Sequence, residues 1–397
     1  MAGKVLISGA GIAGCCLAWW LQRYGYLVTM VEQAPQARGG GYVIDFWGLG
    51  FEVAQKMGLL DELRRHDLDV HEFRVVDTAG RRVASINQGA LKGLTGGRIM
   101  SLPRSAVAMA LYDAVRDRVE VRFGDSITAL GETPAGVDVQ FRSARSETFD
   151  LVIGADGLHS SVRRLAFGDG PEVERFLGYY VAAFTAPGYP HRNPHTYVTY
   201  GEPGRQIWRV SLAEDAAVFL LVFTHEGDAD LPMHDPAQQK AVLRRLYGQS
   251  GWEAREALAA LDAATDLYFD RVSQIVMPEW SKGRLALIGD ACACPSLLAG
   301  EGSAMAMAEA YTLAGELDRA GGDHRRAFAA YEQRLRPYVE RKQKGARSFA
   351  ASFVPRSSLG LWLRNVSIEA ANRLNLTTLL FGSQINDRLT LETYRQA

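Results

Sequence analysis

The stretch Lys4-Val-Leu-Ile-Ser-Gly9-Ala-Gly11-Ile-Ala-Gly14, with Glu32 standing 18 residues after Gly14, decides the fold. Lys4 to Ser8 is a short, mostly apolar run of the kind that fills a buried parallel strand. A helical stretch follows from about Ile12 to Tyr24, and Leu27 to Val31 forms a second strand. The order is that of a βαβ unit. Gly9 permits a tight turn, Gly11 lets the backbone approach a pyrophosphate, and Gly14 lets the helix pack on the strand. The helix N-terminus offers N–H groups and positive dipole to phosphates. Glu32, ending the second strand, is placed to accept hydrogen bonds from ribose hydroxyls. Up to this point a nicotinamide and a flavin dinucleotide fit equally well.

Outward from this unit, Pro103 opens a helical stretch to about Val115, and strands are predicted near 119–123, 137–141 and 150–156. From about Phe176 to Val276 the texture changes to alternating, β-branched and aromatic runs, the mark of antiparallel strands. Two helical stretches, near 235–248 and 252–261, interrupt them. Residues 284–290 return to the buried parallel pattern, a helix is predicted from about Ser303 to Leu317, and the tail from about 322 is largely helical. The predicted fold class is α/β: a Rossmann-like nucleotide-binding domain split around a β-rich, antiparallel substrate domain, plus C-terminal helices. The boundaries are 1–172 for its first part (with 71–100 contributing to the substrate domain), 173–280 for the substrate domain, 281–320 for the second part and 321–397 for the helical segment.

The net charge of −1 provides no bulk field for nucleic acid or an anionic membrane. Cys15, Cys16, Cys292 and Cys294 are too few for a disulfide framework in a chain of 397 residues, which points to a reducing compartment. No second Cys or His pair accompanies Cys292 and Cys294 at zinc spacing, so no metal site is expected. The N-terminus lacks a secretory pattern, and no apolar window is long enough for a transmembrane span. A cytoplasmic setting is expected. No GxSxG or HExxH motif supports a hydrolase.

Two further segments choose between the dinucleotides. They are Gly154-Ala-Asp156-Gly157-Leu-His-Ser160-Ser-Val-Arg163, and Gly289-Asp290 with its sequel through Pro295 and Gly300-Glu301-Gly302. Together with the opening motif they resemble the signatures of the flavoprotein aromatic hydroxylases, the para-hydroxybenzoate hydroxylase family, in the right order over about residues 1–320. The resemblance implies an FAD cofactor. It implies that Asp290 bonds the ribityl chain, that Asp156 and Gly157 lie near flavin and nicotinamide, and that Arg104 contacts the FAD. The segment Arg38-Gly-Gly-Gly-Tyr-Val-Ile-Asp45 is similar to one in tetracycline-inactivating monooxygenases of that family. There the residue matching Arg38 meets the reduced nicotinamide cofactor and the one matching Asp45 contacts FAD. One departure is Ser303-Ala304, where the family commonly has an Asn soon after the second glycine of the GxG loop.

Local chemistry agrees with the resemblance. Asp290 ends a buried strand, where an open α/β sheet places its ligands. Pro295, Gly300 and Gly302 make a tight loop against which a flavin ring can lie, and the helix beyond Gly302 aims its positive end at the ring's pyrimidine edge. The expected reaction consumes NADPH or NADH and O2 and hydroxylates an aromatic or polycyclic small molecule through a C4a-peroxyflavin. An antibiotic-inactivating enzyme of the tetracycline type, a related FAD reductase and a non-catalytic flavin-holding drug binder stay open, as does the choice between monomer and homodimer. Tyr200, Trp208 and Phe223 are the candidates for lining the substrate cavity. The few charges on these strands favour an apolar substrate, and no side chain stands out as a catalytic base.

Overall fold

The computed structural model describes the whole chain except residues 1–2, 38–40, 169, 171–172, 213–214, 226–230, 375, 377–388 and 396–397. Its first sheet has six strands, ordered Ser281–Lys282, Leu285–Leu287, Leu151–Gly154, Lys4–Ser8, Leu27–Glu32 and Glu120–Phe123. All pairs are parallel except that made by Ser281–Lys282. Lys4–Ser8 is therefore central, and Val5, Leu6 and Ile7 are completely buried. A strand covered on both faces has no polar side to show, which explains its unbroken apolar interior. The helices Ile12–Arg23 and Gly302–Arg319 pack against each other in the core beside this sheet. Gly14 is required where the first of these helices meets the preceding turn, since a Cβ there would lie 2.0 Å from the Gly9 carbonyl oxygen.

The second sheet has seven strands, ordered Tyr268–Ile275, Glu174–Pro187, Ala216–Phe223, Arg205–Leu212, Thr196–Glu202, Glu72–Val76 and Arg82–Asn87. Its pairs are antiparallel apart from Thr196–Glu202 with Glu72–Val76. Residues 72–87 thus leave the nucleotide-binding part to complete this sheet. The connection runs beside the two-stranded ribbon of Val43–Trp47 and Ile99–Pro103.

Alternation gives the seven-stranded sheet two faces. The outer face carries Tyr200, Ile207, Leu221 and Phe223, buried under the helices Pro236–Tyr247 and Ala254–Ala263. Trp208, opposite Thr199 and Leu220, lies on the inner face together with Tyr197 and Tyr268. The long helix His324–Phe353 then brings Phe353 onto Trp208, with ring centroids 5.3 Å apart. Among the described residues no helix is long and apolar enough to cross a membrane.

Candidate active site

A cleft of about 370 Å³ runs along the carboxyl edge of the parallel sheet and ends against the seven-stranded sheet. Gly9, Gly11 and Glu32 line one end; Asp290, Gly300 and Gly302 line the other, with Arg104, Asp156, Gly157 and Tyr268 between or opposite them.

At the first end, Gly9 has φ of +103°, and a Cβ there would meet the Ala155 carbonyl oxygen at 2.5 Å. A Cβ on Gly11 would meet nothing within 4 Å, so that backbone borders open space. Gly11 is the N-cap of Ile12–Arg23, and no side chain caps the helix. Its first amides are left for a ligand. Glu32 holds the loop, accepting from the Ala10 amide at 3.0 Å and the Ala34 amide at 2.8 Å.

At the other end, desolvation of the half-buried Asp290 carboxyl pushes its pKa up, while the nearby Arg104 charge pulls it down. The half-buried Arg104 side chain lines the cleft and has no hydrogen-bond or ion-pair partner among the described residues. Gly300 is left-handed, with φ of +69°. Glu301 pairs with Lys342 at 2.8 Å, so the long C-terminal helix braces this loop. The helix Gly302–Arg319 again begins with no side-chain cap.

Two uncapped helix starts, an open glycine edge, a guanidinium unpartnered among the described residues and a half-buried carboxyl thus share one elongated cleft. That donor set suits a dinucleotide: amides and a cation for the pyrophosphate, and a carboxylate acceptor at each end for hydroxyls.

The structure moves some sequence-based expectations. Tyr200 and Phe223 lie in the outer core, Tyr200 bonded to Glu202 at 2.7 Å and Phe223 stacked on Tyr180, so neither lines the cleft side. The strands alternate, and the two helices claim the face on which these rings stand. Trp208 is on the inner face, and its indole N–H is buried without a partner among the described residues. Pro295 stands behind the Gly300 loop, its carbonyl accepting from Gln274 at 2.8 Å. The Asp156 carboxylate serves the fold: it accepts from Ser160 Oγ, from the Ser161 amide at 2.8 Å and from the Val162 amide at 3.2 Å, fixing the start of helix Ser161–Phe167. Asp45 accepts from Ser101 at 2.5 Å and from the Tyr197 hydroxyl at 3.3 Å, tying the ribbon to the second sheet. Burial raises its pKa to about 6, against the lowering effect of those bonds. Arg38 lies outside the described residues.

Four pairings had no sequence signal, although Tyr42, His159 and Arg163 lie within the quoted motifs. Tyr42 and Tyr268 pack against each other in the wall of the cleft, ring centroids 5.9 Å apart. His159 Nε2 meets the buried Asp270 carboxylate at 3.1 Å, and this pairing raises the histidine's pKa. Arg163 spans the second and third motifs, donating to the Leu158 carbonyl at 2.7 Å and the Ala291 carbonyl at 2.9 Å. Gln343 bonds the Ile275 and Cys294 carbonyls at 2.7 and 3.1 Å. Each joins residues far apart in the chain, which no local pattern encodes.

Known proteins agree with this geometry. The family model described as FAD binding domain matches residues 3–345. An uncharacterised protein of Mycobacterium tuberculosis is 38% identical over 343 residues, 85% of this chain and 91% of its own. A flavin-dependent monooxygenase of Legionella longbeachae is 31% identical over 395 residues, 99% of each chain. Among solved structures, tetracycline destructase Tet(55) superposes with a TM-score of 0.84 at 31% identity, covering 99% of each chain. The cleft, the split sheet and these likenesses coincide over nearly the whole length, and the chain belongs to the FAD-binding, para-hydroxybenzoate hydroxylase-like family of flavin-dependent monooxygenases.

Proposed function

We propose that this FAD-dependent monooxygenase takes its electrons from NADPH or NADH and inserts one oxygen atom of O2 into an aromatic or polycyclic small molecule. The observation that supports this best is the placement of the cleft. Its flavin-side end, at Asp290 and Gly300, abuts Tyr268 on the inner face of an aromatic sheet.

In this reading Gly9, Gly11 and the start of Ile12–Arg23 hold the pyrophosphate, with Arg104 as its cation and Gly14 seating the helix behind them, and Glu32 accepts from the adenosine ribose. Asp290 accepts from the ribityl hydroxyls. Gly157, Gly300 and Gly302 give the ring a backbone floor. The chemistry FAD supplies there is hydride acceptance and activation of O2. The protein's own part is to position substrate and exclude water. Phe73, Tyr197, Trp208 and Phe353 form an aromatic cluster on the inner face, with the Trp208 N–H buried inside it. Arg38, by its likeness, meets the nicotinamide cofactor.

The likeness to tetracycline destructases at 31% identity supports a narrower reading, in which the substrate is a tetracycline-like polycycle. The test supplies the FAD-loaded protein with NADPH or NADH, isotope-labelled O2, and a panel of phenols, hydroxyquinones and tetracycline. One labelled oxygen atom should enter any compound that accelerates cofactor oxidation. If every such compound emerges unlabelled and H2O2 accounts for all oxygen consumed, the reading is wrong.

A further inference from the structure

We propose that the outer side of the seven-stranded sheet carries a second ligand site, for a small oxyanion bearing carboxylate or phosphate groups. A cavity of about 280 Å³ opens there, between strands Glu72–Val76 and Thr196–Glu202 and the start of helix Ala254–Ala263. Val198 lines it, whereas its neighbour Tyr197 turns to the opposite face and reaches Asp45. The sheet therefore separates this cavity from the FAD cleft.

Charge decides the ligand class. Arg74 and Arg192 line the cavity, and Arg209 lies beside it with its side chain fully buried. Two carboxylates face these three guanidiniums. Glu72 is engaged by Arg74 at 2.5 Å. Glu253 is shared: Arg209 lies at 2.7 Å, Arg192 at 3.3 Å, and the Tyr189 hydroxyl donates to it at 2.8 Å. Three cations against two anions leave one positive charge over, and the half-exposed Arg192 carries it to the opening.

Helix Ala254–Ala263 adds to this. Its N-cap residue is Glu253, whose carboxylate is drawn away to the arginines and caps no amide. The first amides of the helix thus lie beside the guanidiniums without a side-chain cap, although Glu256 in its first turn offsets part of the positive end, and free amides of this kind can add to the arginines in holding an anion. The backbone at the rim is also held in an unusual state. Asn193 and Trp252, both lining the cavity, are left-handed, with φ of +51° and +56°. For a bulky residue such as Trp252 this is a strained conformation of the kind that collects at ligand clamps. The Trp252 amide is fixed by the Thr78 carbonyl at 2.9 Å, which sets the indole against the turn at Gly80.

The experiment is calorimetric titration of the FAD-loaded protein with inorganic phosphate and, separately, citrate, at constant ionic strength made up with chloride. Saturable binding of at least one anion is expected; phosphate alone points to a phosphorylated ligand and citrate alone to a carboxylate. Arg192→Ala and Arg74→Gln should each weaken it at least ten-fold, with FAD content unchanged, and Arg192→Lys should restore part of it. Absence of saturable binding by either anion overturns the proposal. So does wild-type affinity in both arginine variants, or a loss of binding confined to Arg104→Ala, which would place the anion in the FAD cleft.

Discussion

The carboxyls of Asp290, half-buried, and Glu309, buried, lie on either side of Gly289, and they are held differently. Asp290 opens on the cleft, its charge supported by Arg104. Removing an acceptor for buried ribityl hydroxyls costs about 1.5–3 kcal/mol, roughly a 10- to 150-fold weaker complex. Asp290→Ala should therefore raise the FAD Kd by that factor in a flavin-fluorescence titration. An unchanged Kd in a folded variant would remove Asp290 from the flavin site. Glu309 accepts from the Gly289 amide and lies near Cys292 and Tyr331; burial raises its pKa to about 8. The folded state therefore holds this proton over a range where the unfolded carboxyl, near 4.5, has lost it. Stability from this group is complete below about 4.5 and is lost as pH rises towards 8. Glu309→Gln keeps an acceptor without the charge, so the fall in Tm between pH 5 and pH 8 should be smaller than in wild type. Equal falls would mean that another group carries the dependence. Asp290 was legible because it closes a strand motif. Glu309 was not, since nothing local ties a glutamate within an apolar helix to a strand turn 20 residues earlier.

The helix Ser161–Phe167 shows how a motif can serve an element before it serves a ligand. Ser160 is wholly buried; its hydroxyl donates to Asp156 and accepts from the Arg163 amide at 3.0 Å. Losing a cap costs about 0.5–2 kcal/mol, and here two buried partners would lose a bond. Ser160→Ala should lower stability by about 1–2 kcal/mol, measured by urea denaturation of the FAD-loaded protein; no shift in midpoint would show that the cap contributes nothing. Element order was legible in the opening βαβ unit and in the antiparallel strands, where periodicity or an apolar run is plain, but not between Glu32 and Pro103, where the ribbon Val43–Trp47 with Ile99–Pro103 and the helix Gly48–Met57 had no reading. Strand faces were legible only as a pair. Alternation separates Tyr200 from Trp208 by register, but the covering helices Pro236–Tyr247 and Ala254–Ala263 determine which face becomes core. For that reason Tyr200 and Phe223 were misplaced.

At the scale of the molecule, the cleft is made by two sheets whose relative position rests on a few polar ties. His159 reaches Asp270, Lys342 and Gln343 brace the loops from the long helix, and Tyr197 reaches Asp45. The last tie joins the ribbon next to the cleft, where Tyr42 and Ile44 line the site, to the inner aromatic face. None of these pairings was visible in sequence, because each spans more than 40 residues and depends on how the sheets dock. If the proposed reaction holds, water exclusion at this junction determines how much reduced cofactor yields product and how much yields H2O2. Tyr197→Phe deletes one hydroxyl and keeps the ring that stacks on Phe73 at 4.8 Å. FAD content should stay at the wild-type level, because no proposed FAD contact is touched. The half-buried Asp45 loses a donor and gains affinity for water, loosening the junction by about one net hydrogen bond. H2O2 formed per NADPH, read in a peroxidase-coupled assay with a stimulating substrate present, should rise about 2- to 12-fold, the range that one such bond allows. Tyr197→Phe that lost FAD would assign the tyrosine to the cofactor site instead. A variant with wild-type FAD content and an unchanged H2O2 ratio would show that the Asp45–Tyr197 tie has no part in sealing the cleft.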